Sequence, residues 1–406
     1  MRHFLLIGLM AAGMWTVSVN LSAQAIKTDP KPEPKMEPKA PKFVWPDKIQ
    51  GKNLDFWVRE MKESRDASTR EEAIRTLSSF GPEATRAASP NLINAITKDP
   101  DINVRLTAIS MVPTLGFDEA NLDVGLTSLV NIINPKLSAS PNHTRYEATM
   151  ALGNCGPVAK RAIPVLIEYT IIDPTSWHNR KAAVYALGRL GVATDKDKGP
   201  DVVVAKALSK CLRLESSHQV RREAINSIML LGPPFLEAAW KDVRDALTHG
   251  MRDPNHSIAI WSRVAFIRTE HELIKSNDPN LMALVKFLGS SDLLVKAEAL
   301  EALGYLGDEA KSRIADIIAL ATTKSEKPED LGMAVTAIWV LSQMPAETGQ
   351  LLPIFDQLKR HKEEGIKQAA DIAYRMLVLR KDDPDKKEKK DPKDAKDPKK
   401  DPLKKM

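Results

Sequence analysis

Apolar residues return through the middle of this chain with a helical period. Taking an alanine as position i, apolar side chains recur at i+4 and i+7, which at about 100° per residue places all three on one face of an α-helix. The triplets are Ala73/Leu77/Phe80, Ala108/Val112/Leu115, Ala148/Leu152/Cys155, Ala183/Leu187/Leu190, Ala224/Ile228/Leu231 and Ala299/Leu303/Leu306. Each is followed at i+8 by a glycine (Gly81, Gly116, Gly156, Gly191, Gly232, Gly307), and Pro82, Pro157 and Pro233 come directly after three of these, a signature of a helix C-terminus. Upstream of the centres lie further apolar stretches, among them Ile163 to Ile172, Val202 to Leu212 and Leu281 to Leu288. Turn residues such as Asp99-Pro100, Asp173-Pro174 and Asp253-Pro254 close them. The pattern therefore predicts a repeated unit of helix A, turn, helix B.

Weaker copies centre on Ser262, Ala337 and Ala370, and successive centres stand 33 to 41 residues apart. That spread is too irregular for propeller blades and natural for stacked helix pairs joined by loops of varying length. The alanine has a physical role, because helices approach to about 8–10 Å only where a small side chain lies at the contact. A basic residue stands three places before most centres: Arg70, Arg105, Arg145, Arg180, Arg221 and Lys296.

These units resemble the HEAT-repeat superfamily, in particular the short bacterial HEAT-like type found in phycobilisome lyases. The segment Asp99-Pro100-Asp101-Ile102-Asn103-Val104-Arg105-Leu106-Thr107-Ala108 matches that pattern closely, as does Val220-Arg221 through Leu231-Gly232. The unit at Asp253-Pro254 departs from it, with Ala259 in place of the arginine and Glu270 in place of the glycine. The resemblance covers residues 53–380 and implies an all-α fold, an α-solenoid forming a right-handed superhelix of about nine HEAT-like helix pairs, with disordered termini. It also implies that Arg70, Arg105, Arg145, Arg180 and Arg221 form a structural ladder between successive units through the turn acids, rather than a ligand site.

The two ends read differently. Arg2 and His3, the apolar run Phe4 to Val19 and the small-residue site Ala23-Gln24-Ala25 form an export signal, expected to be cut after Ala25. Residues 26–50 are a Pro/Lys-rich linker, residues 51–380 the repeat solenoid, and residues 381–406 a tail of Asp-Pro-Lys units expected to be disordered. The mature protein is expected to be periplasmic or secreted, with no membrane span once the signal is removed. The formal charge of +6 belongs to these ends, since residues 49–380 carry 41 Lys and Arg against 41 Asp and Glu. A basic composition is therefore no argument for nucleic acid as a partner.

Chemistry is hard to find. No nucleophile elbow, dinucleotide loop, phosphate loop or His-Glu-x-x-His motif occurs. The two cysteines, Cys155 and Cys211, occupy apolar-stripe positions two units apart and read as buried free thiols. A HEAT-like hydroxylase holds two irons through His-Glu dipeptides on several repeats, but this chain has one such dipeptide, His271-Glu272, so no metal and no cofactor is expected.

The expected function is a noncatalytic protein-binding scaffold or adaptor in the cell envelope, using the concave surface of the B helices. Alternatives are a lyase- or hydroxylase-like enzyme or accessory subunit with a site assembled across repeats, and tethering to an anionic envelope polymer through the Lys-rich ends. Positions i+2 and i+6 point farthest from the core, and there Tyr185, Arg189, Tyr305 and Trp339 are the residue types that carry interface energy, with Trp177 on a turn as an outlier. His143, His178, His218 and His256 stand five or six residues before their centres, one per unit, and form a candidate pH-sensitive stripe.

Overall fold

The structure is a computed structural model that describes residues 44–195, 197–233, 237–269, 277–344 and 348–381. The signal with Ala23 and Ala25, the His271-Glu272 dipeptide and the tail from residue 382 lie outside the described residues. The fold is all-α, and among the described residues Ile49 and Lys52 form the sole extended bridge.

The described residues fall into two compact units, 44–269 and 277–381. The first holds six helix pairs: α1 (Leu54–Glu63) with α2 (Ala67–Leu77), α4 (Ser89–Lys98) with α5 (Ile102–Leu115), α6 (Leu122–Ile133) with α7 (Asn142–Cys155), α8 (Ile163–Val165) with α9 (Trp177–Leu190), α10 (Val202–Leu214) with α11 (His218–Leu231), and α12 (Glu237–Gly250) with α13 (His256–Thr269). A short helix α3 (Pro82–Arg86) links the first two pairs. The second unit holds α14 (Pro279–Leu288) with α15 (Leu293–Leu306), α16 (Ile314–Ala321) with α17 (Pro328–Ser342), and α18 (Thr348–Leu358) with α19 (Glu364–Lys381). Within each unit the B helices pack on their own A helices, α9 doing so through the segments Gly156–Ala162 and Leu166–Thr170 that flank α8, and on the B helix of the next pair, giving the layered stacking of a solenoid.

The boundaries of these helices follow from short polar signals. Asp101 accepts the N–H groups of Asn103 and Val104, Ser176 that of Asn179, and Asp201 those of Val203 and Val204, so the first donors of α5, α9 and α10 are satisfied by their caps. At the other end five of the six i+8 glycines have positive φ, from 54° at Gly307 to 92° at Gly81. Gly191 is the exception, with φ of −83°. Its small size serves packing instead, because a Cβ there would lie 2.8 Å from Val204 Cγ1 on α10. The apolar run from Ile163 also differs from a plain α-helix: its second half, Leu166–Thr170, is wound as a π-helix, with the Ile171 N–H donating to the Leu166 carbonyl.

The apolar face predicted from the period is the core. Ala73, Ala108, Ala148, Ala183, Ala224 and Ala299 are fully enclosed, and so are Leu77, Leu152, Leu187, Ile228 and Leu303 at i+4. Cys155 is partly buried and Cys211 buried, both as free thiols, and burial pushes them up to about 11 and about 12, so neither is a thiolate at neutral pH.

Candidate interaction surface

Successive B helices touch through a small residue that the central alanine does not account for. A Cβ on Gly153 of α7 would lie 2.8 Å from Ala186 Cα of α9, and one on Gly188 of α9 would lie 2.6 Å from Ser227 Cβ of α11. The same register recurs in the second unit, where a Cβ on Gly304 of α15 would lie 2.8 Å from Val340 Cγ1 of α17. These glycines stand at i+5 and meet position i+3 of the next B helix. The residues flanking the contact, i+6 on one helix and i+2 on the next, are thereby set side by side.

Three such couples result: Asn154 with Tyr185, Arg189 with Asn226, and Tyr305 with Trp339. In the first, the Tyr185 hydroxyl donates to Asn154 Oδ1 at 2.7 Å. Tyr185 is half-buried, and the exposed Arg189 guanidinium lies 4.5 Å from its ring centroid. Tyr305 and Trp339 keep 36% and 37% of their surface exposed, on consecutive B helices of the second unit.

Around Tyr185 and Arg189 the structure gathers residues that periodicity did not single out. Arg222 of α11 lies 4.2 Å over the Trp261 ring of α13 and donates to Asn226 Oδ1. Glu223, next to it, is partly covered; burial pushes its carboxyl above its ordinary range, with the charges of Lys181, Arg222 and Arg189 pulling the other way. These residues come from positions i−2 and i−1 of neighbouring B helices. The one sequence signal for them is Trp261, a large aromatic at i−1 where Glu72, Thr107, Glu147 and Glu298 stand in other units.

The turn edge is a separate region. Arg70 meets Asp99 of the next pair through Nε and Nη2, both at 2.8 Å, Arg180 meets Glu215 at 2.8 and 2.9 Å, and Arg221 meets Asp253 at 2.9 and 3.2 Å. Arg145 reaches Asp173 with one nitrogen at 3.2 Å, its Nε being buried without a partner. Each acid also accepts the backbone N–H two residues on (Asp101, Thr175, Ser217, Asn255), which shapes the turn. Arg105 donates to the carbonyls of Asp99 and Pro100 behind it, as Arg70, Arg180 and Arg221 do in their own turns, and the turn ahead carries Asn134 in place of the acid. In the last pair of this unit, where Ala259 replaces the arginine, Arg263 one turn later reaches the Met251 carbonyl at 3.0 Å.

His143, His178, His218 and His256 are exposed on the first turns of α7, α9, α11 and α13, along this same edge. Trp177 belongs to that edge rather than to the face of Tyr185: it opens α9 and stacks on His178, with ring centroids 3.7 Å apart. A notch of about 260 Å³ beside Arg70 and Asp99 is walled by Lys62, Asn91, Asn94 and Lys98. Among the described residues no group of three or more His, Cys, Asp or Glu is placed to hold a metal ion, and no helix is long and apolar enough to cross a membrane.

Residues 127–229, from within α6 to near the end of α11, match the family model for HEAT repeats. No curated protein matches the sequence. Among solved structures the chain is similar to importin beta, at 13% identity over 79% of this chain and 46% of that one, with a TM-score of 0.50. It is similar to the same degree to a complex of Kap95 with Nup1, at 16% identity, again over 79% and 46% of the two chains and with a TM-score of 0.50. The chain thus spans less than half the length of these relatives, and the likeness is one of fold. The fold is thus an all-α solenoid whose residues 127–229 match HEAT repeats, with the same stacked helix pairs on either side of that span.

Proposed function

We propose that this protein is an exported, noncatalytic scaffold or adaptor of the cell envelope that binds protein partners through the exposed face of its B helices. The observation that carries this reading is the Tyr185–Arg189 stack anchored on Asn154, an aromatic and a guanidinium held in place at the surface by neighbouring B helices. Tyr and Arg are enriched where interfaces concentrate their energy, and anchors ordered before binding lose less entropy on association. Tyr305 and Trp339 extend the same register on the second unit. A fold neighbour taken together with a second protein, Kap95 with Nup1, agrees with use of this architecture for protein binding. Export rests on the N-terminal sequence with Ala23 and Ala25, and a partner in the envelope follows from it.

The test is a pull-down from native envelope extract with the full chain, beside a Tyr185→Ala/Tyr305→Ala/Trp339→Ala variant, read by mass spectrometry. A protein enriched by the wild type and lost from the variant supports the reading. Equal enrichment by both, or by neither, moves the function away from this face.

A further inference from the structure

The charges of the first unit are unevenly divided between its layers. Residues 49–380 are balanced, yet the three consecutive B helices α9, α11 and α13 contain seven Arg and Lys against one acid, Glu223. Two of the seven, Arg180 and Arg221, are neutralised at the turn edge by Glu215 and Asp253, and Arg263 turns back to the Met251 carbonyl. Among the rest, Lys181 and Arg189 are exposed.

Two guanidiniums of these helices are held against aromatic rings. Arg189 is stacked on Tyr185 and Arg222 on Trp261, with the Asn154 and Asn226 side chains fixing Tyr185 and Arg222 in turn. A planar, oriented guanidinium matches a carboxylate through two parallel hydrogen bonds. Lys181 and Arg222 occupy the same register position on neighbouring helices, about 10 Å apart, a distance that an extended chain covers in about three residues.

We infer that the B-helix face of α9, α11 and α13 takes an acidic, extended segment of a protein partner, carrying a carboxylate about every third residue. Lys181, Arg189 and Arg222 bind its carboxylates, and Tyr185 packs against the segment between them. Glu223 sits among the three cations and sets a limit on how much negative charge the face attracts, so the specificity lies in spacing as well as in sign. This inference rests on the scaffold reading and gives it a partner chemistry.

The experiment is fluorescence anisotropy with the full chain and three labelled Gly-Ser peptides carrying Glu, Gln or Lys at every third position. The Glu peptide is expected to bind about tenfold or more tightly than the Gln peptide, and the Lys peptide not at all, with affinity falling as salt rises. Lys181→Glu/Arg189→Glu is expected to weaken the Glu peptide by about tenfold or more, Lys181→Ala/Arg189→Ala by less, and Lys210→Glu/Arg213→Glu on α10, with the same change in net charge, by less than about twofold. The inference is overturned if the Lys181→Glu/Arg189→Glu variant binds the Glu peptide as wild type does, which would assign the binding to the Lys-rich ends. It is overturned equally if the Gln peptide binds as well as the Glu peptide, or if single-stranded DNA binds as tightly and is lost with the same variant, which would make the face a general polyanion site. An envelope partner lost from the Tyr185 variant but retained by Lys181→Glu/Arg189→Glu would remove the acidic preference and leave the scaffold reading standing.

Discussion

Arg180 and Glu215 are 35 residues apart in the chain and joined by two hydrogen bonds, Nε to Oε2 at 2.8 Å and Nη2 to Oε1 at 2.9 Å. The pair links the start of α9 to the turn that opens α11, and both side chains are largely buried. Arg180 also donates to the Asp173 carbonyl of its own turn, so one guanidinium ties two successive turns together. Removing the cation leaves Glu215 buried without its partner, which costs more than the pair contributes as a whole. Arg180→Ala is therefore expected to lower stability by roughly 3 kcal/mol, and the double change Arg180→Ala/Glu215→Ala by less than the sum of the two single changes. Urea unfolding of the four proteins checks this; additive losses would mean that the two groups do not stabilise each other.

The same acids make the protein sensitive to low pH. Burial pushes the Glu215 carboxyl up, but hydrogen bonds from Arg180 and the Ser217 N–H outweigh it and hold the group below its ordinary 4.5. Burial likewise raises Asp173, while Thr175, Asn179 and Arg145 bring it below its ordinary 3.8. A carboxyl depressed in the folded state contributes stability that is fully present above its unfolded value and lost as pH falls through the folded one. The melting temperature is accordingly expected to be flat down to about pH 5 and then to fall. Asp173→Asn/Glu215→Gln should melt lower at pH 7 and show a shallower decline below pH 5; a decline as steep as in wild type would locate the acid sensitivity elsewhere.

Arg105 tests the ladder from the opposite side. The turn of the next pair carries Asn134, which keeps the turn by accepting the Lys136 N–H at 3.0 Å but offers no charge. Arg105→Ala is thus expected to cost clearly less than Arg70→Ala or Arg221→Ala, whose partners are the acids Asp99 and Asp253. Asn134→Asp would complete the ladder and is expected to stabilise the neighbouring pairs by about 1 kcal/mol. Hydrogen exchange of α5 and α7 reads the effect locally, and slower opening in Asn134→Asp is the expected result.

Much of this architecture is legible in the sequence because it is periodic. The triplet at i, i+4 and i+7 identifies the buried face of each B helix, and the turn signals divide the chain into A and B without further information. The contents of the B-helix face are less legible. Glu223, Arg222 and Trp261 lie at positions i−2 and i−1, which on one isolated helix look like ordinary flank positions; only the stacking of α9, α11 and α13 brings them to Lys181 and Arg189. Gly191 shows the converse. Its place in the pattern marks a helix end, yet its reason is the approach of Val204 from a different helix, a fact no local pattern carries.

The glycine at i+5 gives the most direct test of how closely the B helices must approach. A methyl on Gly188 would stand 2.6 Å from the Cβ and Oγ of Ser227 and 2.9 Å from its Cα, and the last of these is backbone that cannot rotate away. Ser227 is itself fixed, buried and donating to the Val184 carbonyl at 2.9 Å. Gly188→Ala must therefore push α9 and α11 apart, against the small gain that alanine brings to a helix, and a net loss of roughly 2 kcal/mol is expected. Ser227→Gly opens space at the contact, losing one buried hydrogen bond and some helix propensity. The double change Gly188→Ala/Ser227→Gly is expected to melt higher than the sum of the single losses allows, because the methyl then occupies the volume the serine vacated. Thermal melts of the four proteins decide it: strict additivity would show that Gly188 and Ser227 do not set the distance between these helices.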